Sequence, residues 1–178
     1  MYLFSKFLLK LAYRTRLFKS VTIARWLGVR VGNNCRFLDD PMHIFGSEPY
    51  LVQIGNHVEI THGVRILTHD GGMWIFRDAD PGRTSDYFAP VIIGNNVFIG
   101  INTIILPGVV IGSNVVIGAG SIVTRDIPDN QIVAGVPAKI IKSAETYSEK
   151  LFASALPTKG MRYAAKKEYL LKNHPEWF

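Results

Sequence analysis

Apolar residues recur along the middle of the chain with a period of six. The frame begins at Ile54-Gly55 with Val58, continues at Ile60 with Val64 and at Ile66, and resumes at Ile93-Gly94 with Val97. Ile99-Gly100 with Thr103, Ile105 with Val109, Ile111-Gly112 with Val115, Ile117-Gly118 with Ser121, and Val123 with Ile127 follow. Six unbroken hexads over 93–128 lie far outside chance. Residues two apart in a strand share a face, so this period predicts a short β-branched strand and a turn, repeated. Three such strands per circuit make a triangular coil. The first and fifth positions of each hexad then point inward as continuous columns, while Gly, Asn and Ser fall at corners, where positive φ is tolerated. A sandwich would instead show turn signals about every 8–12 residues.

The frame is broken at residues 39–53 and again at 72–86, and chemistry is expected where a passive scaffold is interrupted. The second break runs from Gly72 to Asp86 and places Trp74 and Phe76 close together, with Arg77 after them. These three residues are candidates for the wall of a substrate cleft; the rings could equally pack on their own coil or on a neighbouring subunit. Just before them stands Thr68-His69-Asp70-Gly71-Gly72. The first break contains Phe45-Gly46-Ser47-Glu48-Pro49-Tyr50.

Charge sharpens the picture at the N-terminus. The first 38 residues hold eight bases and no acid, whereas the remaining 140 hold twelve bases and fourteen acids. The net charge of +6 therefore belongs to one end, a distribution unlike that of a chain that coats nucleic acid. The single cysteine, Cys35, excludes an internal disulfide and a thiolate metal cluster, so a reducing cytoplasm is the expected compartment.

The hexads, Gly118-Ala119-Gly120-Ser121 and the closing Ala134-Gly135-Val136-Pro137-Ala138-Lys139 resemble the hexapeptide-repeat acyltransferases from about residue 52 to 142. The Thr-His-Asp-Gly-Gly and Phe-Gly-Ser-Glu-Pro-Tyr runs are most similar to acetyltransferases of surface-polysaccharide assembly. In the maltose and galactoside acetyltransferases the corresponding histidine falls two residues later in the frame. The resemblance implies a left-handed parallel β-helix, a homotrimer with active sites between subunits, and acetyl-CoA as acyl donor without a metal. It implies His69 as general base, since an imidazole can take the proton of a poorly nucleophilic hydroxyl at neutral pH. Glu48 is the leading carboxylate to orient it, with Asp70, Asp39 and Asp40 as rivals. The donor's pantetheine would lie along exposed backbone at Gly100-Ile101 and Ala119, and its phosphates would meet Thr124, Arg125, Lys139 and Lys142. A backbone amide would stabilise the tetrahedral oxyanion.

The resulting expectation is a basic helical cap over 1–28, a β-helix over 29–142 with an inserted loop at 72–86, and a helical tail over 143–178. Residues 2–20 form an apolar stripe with bases between, suited to covering the open coil end or to touching the inner face of a membrane. In the tail, Ser143 is a candidate N-cap, Pro157 and Gly160 should interrupt, and a second helix is expected from Tyr163 to Leu171. The expected activity is O-acetylation of a sugar, nucleotide-linked or lipid-linked, in capsule, lipopolysaccharide or exopolysaccharide synthesis. Alternatives are N-acetylation of a nucleotide-linked amino sugar, serine O-acetylation, a non-catalytic scaffold trimer, and a zinc carbonic anhydrase using His57, His62 and His43.

Overall fold

The structure, a computed structural model, describes Tyr13, residues 18–79, Gly82 and residues 84–178. Almost all of the stripe expected over 2–20 lies outside the described residues. Contacts divide the chain into residues 1–147 and a smaller unit, 148–178.

Within the first unit, short strands stack into three parallel sheets. The first sheet holds β1 (Arg30–Val31), β3 (Val52–Ile54), β6 (Val91–Ile93) and β9 (Val110–Ile111). The second holds β2 (Arg36–Phe37), β4 (Val58–Ile60), β7 (Val97–Ile99), β10 (Val115–Ile117), β12 (Gln131–Ala134) and the antiparallel closing strand β13 (Lys139–Ser143). The third holds β5 (Arg65–Ile66), β8 (Ile104–Ile105) and β11 (Ile122–Val123). The chain visits the sheets in rotation, and the whole is a triangular parallel β-helix. The helix Ser20–Trp26 packs on β1 and β2 with Ile23 and Ala24 fully buried.

The hexad columns are the core. Ile54, Val58, Ile60, Val64, Ile66, Ile93, Val97, Ile99, Ile105, Val109, Ile111, Val115, Ile117 and Val123 are all buried. Thr103 and Ser121 share these columns with no exposed surface; their hydroxyls donate to the carbonyls of Gly100 (2.7 Å) and Gly118 (2.6 Å). Each buried Ile or Val contributes roughly 1.5–3 kcal/mol of transfer free energy. One corner is tied along the axis by side chains in the left-handed region. His57 Nδ1 donates to Asn96 Oδ1 (2.8 Å), Asn96 Nδ2 to Asn114 Oδ1 (2.9 Å), and Asn114 Nδ2 to Asn130 Oδ1 (2.9 Å).

Pairing registers measure the breaks. Ile93 and Ile111 lie 18 positions apart, one regular circuit, whereas Ile54 and Ile93 lie 39 apart, so the long break adds 21 residues. The expected insertion of 72–86 is therefore too short. Residues 87–89, which the hexad frame assigns to a coil side, instead form an antiparallel stem with 68–70, because Asp70 N–H donates to the Tyr87 carbonyl (3.1 Å) and Ala89 N–H to that of Thr68 (2.9 Å). The excursion is also not all loop, since Met73–Ala79 is helical. The last hexad is cut short as well: β10 pairs with β12 at a spacing of 16, and Ile127 enters the column of Ile111.

In the tail, Ala144–Ala153 is helical and begins where Thr146 N–H donates to Ser143 Oγ (3.1 Å). In the smaller unit, a helix spans Tyr163–Asn173 and is followed by a 3-10 turn at Pro175–Trp177, where the His174 and Trp177 rings stack with centroids 4.2 Å apart.

Candidate active site

The two breaks converge. In the first circuit, the helix Pro41–Ile44 takes the place of a third strand beside β5. Asp40 caps it by accepting the Met42 N–H (3.0 Å), and Pro41 supplies a pre-set φ in its first turn. Phe45, fully buried, meets Phe37 edge to face at 5.5 Å. Gly46, at φ +60°, then turns the chain so that Ser47 and Glu48 reach toward the next circuit. Buried Pro49 opens a 3-10 turn behind Glu48, so the carboxylate is held from both sides in sequence.

His69 arrives from the second break. Leu67 N–H makes a coil bond to the Ile105 carbonyl (2.9 Å), and the stem with 87–89 starts at the next residue. His69 Nδ1 lies 2.8 Å from Glu48 Oε2, and Thr68 Oγ1, nearly fully buried, donates to the same oxygen at 3.0 Å. An ionised carboxylate only accepts, so Nδ1 carries the ring proton and the neutral imidazole keeps its lone pair on Nε2. Burial pushes the Glu48 carboxyl up, but hydrogen bonds from His69, Ser47 and Thr68 outweigh it and hold the group below its ordinary value. The pair opens into a cleft of about 300 Å³ lined by Ser47, Asp70, Gly71, Arg77, Asp86, Tyr87 and Phe88 as well.

The other carboxylates are occupied elsewhere. Asp70 Oδ1 accepts the Gly72 N–H (2.8 Å) in a local turn, so it lines the cleft without meeting the His69 ring. Asp39 receives the N–H groups of Asp40 (2.7 Å) and Gly63 (2.9 Å). Its carboxyl is raised by burial but lowered on balance by those two bonds and by His43 and Arg65. Arg77 lines the cleft, where its Nη1 donates to Asp86 Oδ1 at 2.7 Å. Trp74 and Phe76 are not among its lining residues and stand 63% and 61% exposed on the helix Met73–Ala79. Ser47, Asp86, Tyr87 and Phe88 escaped the sequence reading. For the last two, the signal was Ala89-Pro90, a pair unsuited to a central strand.

Of the expected donor residues, Gly100, Ile101, Ala119, Thr124 and Arg125 flank the third sheet, and Lys139 and Lys142 belong to the second. Exposed Ile101 and Ala119 occupy the same corner of successive circuits, where Gly120 N–H donates to the Ile101 carbonyl (2.7 Å). Gly100 is needed for stacking, since a Cβ there would stand 2.5 Å from Ala119 N. Thr124 and Arg125 are exposed at the neighbouring corner, the one that carries His69 two circuits away. Lys139 and Lys142 lie on β13. Among the described residues, Arg125, Lys139 and Lys142 have no ion-pair partner. His57 and His62 sit at corners and His43 in the first-break helix; no three His, Cys, Asp or Glu side chains converge as a metal site among the described residues.

A triangular parallel coil with a histidine–carboxylate pair at a broken corner defines a class that known proteins fill. Residues 90–125 match the family described as bacterial transferase hexapeptide (six repeats). The chain is 61% identical over 152 residues to protein CapG of Staphylococcus aureus, covering 85% of this chain and 87% of that one. It is 41% identical over 114 residues to WbbJ of Escherichia coli K12, provisionally named a lipopolysaccharide biosynthesis O-acetyl transferase, covering 59% and 56%. Among solved structures, a galactoside acetyltransferase in complex with coenzyme A superposes with a TM-score of 0.52 at 36% identity, covering 68% of this chain and 58% of that one. This chain belongs to the hexapeptide-repeat acetyltransferases, with their left-handed parallel β-helix. It spans little more than half the length of WbbJ and of the galactoside enzyme.

Proposed function

We propose that the protein transfers the acetyl group of acetyl-CoA to a sugar hydroxyl during surface-polysaccharide assembly. The observation that carries this reading is the His69 Nδ1 to Glu48 Oε2 hydrogen bond at 2.8 Å in an open cleft, which leaves Nε2 as the base. His69 Nε2 takes the proton of the acceptor hydroxyl as its oxygen attacks the thioester carbonyl. The new C–O bond forms, the C–S bond breaks, and the proton passes to the departing thiolate, giving an acetyl ester and free coenzyme A. Glu48 holds the tautomer and stabilises the imidazolium that forms.

Ile101 and Ala119 offer exposed corner backbone to the donor's pantetheine, and Thr124, Arg125, Lys139 and Lys142 its phosphates. The relative solved with coenzyme A supports the choice of donor, and WbbJ's name the choice of acceptor. A homotrimer would complete each cleft with a neighbour's surface and give the exposed Trp74 and Phe76 a partner. No helix among the described residues is long and apolar enough to cross a membrane, and the acid-free basic N-terminus suits peripheral contact with its inner face.

The test is thiol release from acetyl-CoA with free, nucleotide-linked and lipid-linked sugars. Acetylation by the wild type and loss of at least about 100-fold in kcat for His69→Ala are expected. A His69→Ala protein that turns over like the wild type removes the mechanism.

A further inference from the structure

The stem that carries His69 fixes what stands beside it. His69 and Phe88 are directly opposed across the antiparallel bridge. The flanking bonds run from Asp70 to Tyr87 and from Ala89 to Thr68, which makes 69–88 a pair without hydrogen bonds of its own, the arrangement that brings opposed side chains closest on one face. The ring centroids accordingly lie 6.0 Å apart. Tyr87 leaves the other side of the strand, its hydroxyl 3.8 Å from where a Cβ on Gly108 would stand. Phe88 nevertheless stays 51% exposed, a flat apolar face left open beside the base; Tyr87, also 51% exposed, is the other ring of the cleft, whose remaining side chains are polar or charged.

The charges around that face narrow its partner. Glu48, Asp70 and Asp86 supply three carboxylates to the cleft against the single guanidinium of Arg77, which is already bonded to Asp86. A carboxylated ring would enter against this balance. A neutral pyranose carries one face of C–H groups, suited to an aromatic plane, and rim hydroxyls suited to the surrounding carboxylates and guanidinium. The cleft volume of about 300 Å³ accommodates one such ring.

We infer that Phe88 is the platform on which an uncharged pyranose ring of the acceptor lies while one of its hydroxyls faces His69 Nε2. This rests on the sugar-acceptor reading above and adds to it the class of the reacting residue. A packing role for Phe88, merely steadying His69, would scale every reaction of the base equally. A platform acts on ring acceptors alone.

The experiment compares wild type, Phe88→Leu and Phe88→Tyr with acetyl-CoA, using neutral methyl pyranosides, the matching uronic acids, and water as the acceptor in acetyl-CoA hydrolysis. The readout is the ratio of kcat/KM for the pyranoside to the hydrolysis rate. Phe88→Leu, which fills space without a flat face, lowers this ratio about ten-fold, and Phe88→Tyr restores it. The wild type prefers the neutral ring to its uronic acid. An unchanged ratio in Phe88→Leu, or preference for the uronic acid, overturns the platform and leaves sugar acetylation standing. If the wild type acetylates no pyranoside, both readings fall.

Discussion

Replacing Glu48 by Gln keeps the side chain's shape and removes its charge, and the consequence for His69 can be worked from the bonds that meet at Oε2. His69 Nδ1 at 2.8 Å and Thr68 Oγ1 at 3.0 Å both donate to that oxygen. A hydrogen bond to a charged group is worth roughly 1.5–3 kcal/mol and one between neutral groups roughly 0.5–1.5, so the imidazolium formed during reaction loses about 1–2 kcal/mol of support. At about 1.4 kcal/mol per decade, kcat falls about five- to thirty-fold. If the amide presents its NH₂ group to the ring, Nδ1 must accept, the proton moves to Nε2, and the loss grows to about 1,000-fold. The assay is thiol release at saturating sugar, with KM for acetyl-CoA as the internal control, because Glu48 lies away from the expected phosphate contacts. The same substitution has a signature in stability. With a folded-state pKa below its ordinary 4.5, Glu48 contributes stability that is fully present above that value and is lost as pH falls through the folded-state pKa. Glu48→Gln should therefore melt lower than wild type at pH 7, and the difference should shrink in acid. A variant that keeps kcat within two-fold would refute the assignment of Glu48 as the group that holds the base.

Thr68→Val removes the second donor to Oε2 from a nearly buried position, so kcat should drop about five-fold, with Thr68→Ser restoring it. Ile99→Ala empties a site in the fully buried column and should cost about 2–5 kcal/mol in urea unfolding, whereas Ile101→Ala, at an exposed corner, should cost less than about 1 kcal/mol. Alanine at Arg125, Lys139 or Lys142 should raise KM for acetyl-CoA about three- to ten-fold, and this penalty should fade in high salt; equal KM values at low salt would place the phosphates elsewhere. Asp39→Asn should lower stability at neutral pH and flatten its decline in acid, since Asp39 too is held ionised below its ordinary value of 3.8.

The coil was legible because a single residue type carries its meaning: each Ile or Val of the hexad faces inward whichever sheet it serves. Its exceptions were less so. Apart from the Pro90 that follows, nothing in Tyr87-Phe88-Ala89 distinguishes a coil side from an antiparallel stem, since both are extended and the stem is set by what residues 68–70 pair with. The helix Met73–Ala79 follows two glycines and lacks an acidic first turn, so no start signal marks it. Glu48 could be placed in the right break, but its reach to His69 depends on the turn at Gly46 and on burial of Phe45, which join residues 21 apart in sequence.

The corner row from His57 through Asn96 and Asn114 to Asn130 gives the stack something its repeats lack, which is a sense of direction. Coils built from one hexad are interchangeable bricks, and their apolar columns would accept a neighbour of either order. Asn96 and Asn114 each receive a hydrogen from behind and give one onward, and Asn130 receives the last, so the amide dipoles align head to tail from His57. His57 heads the row as a donor through Nδ1, a role open to the imidazole whether or not its other nitrogen is protonated. The polarity of the stack is thus written in a line of side chains on the outside of the molecule, where it can be altered one residue at a time.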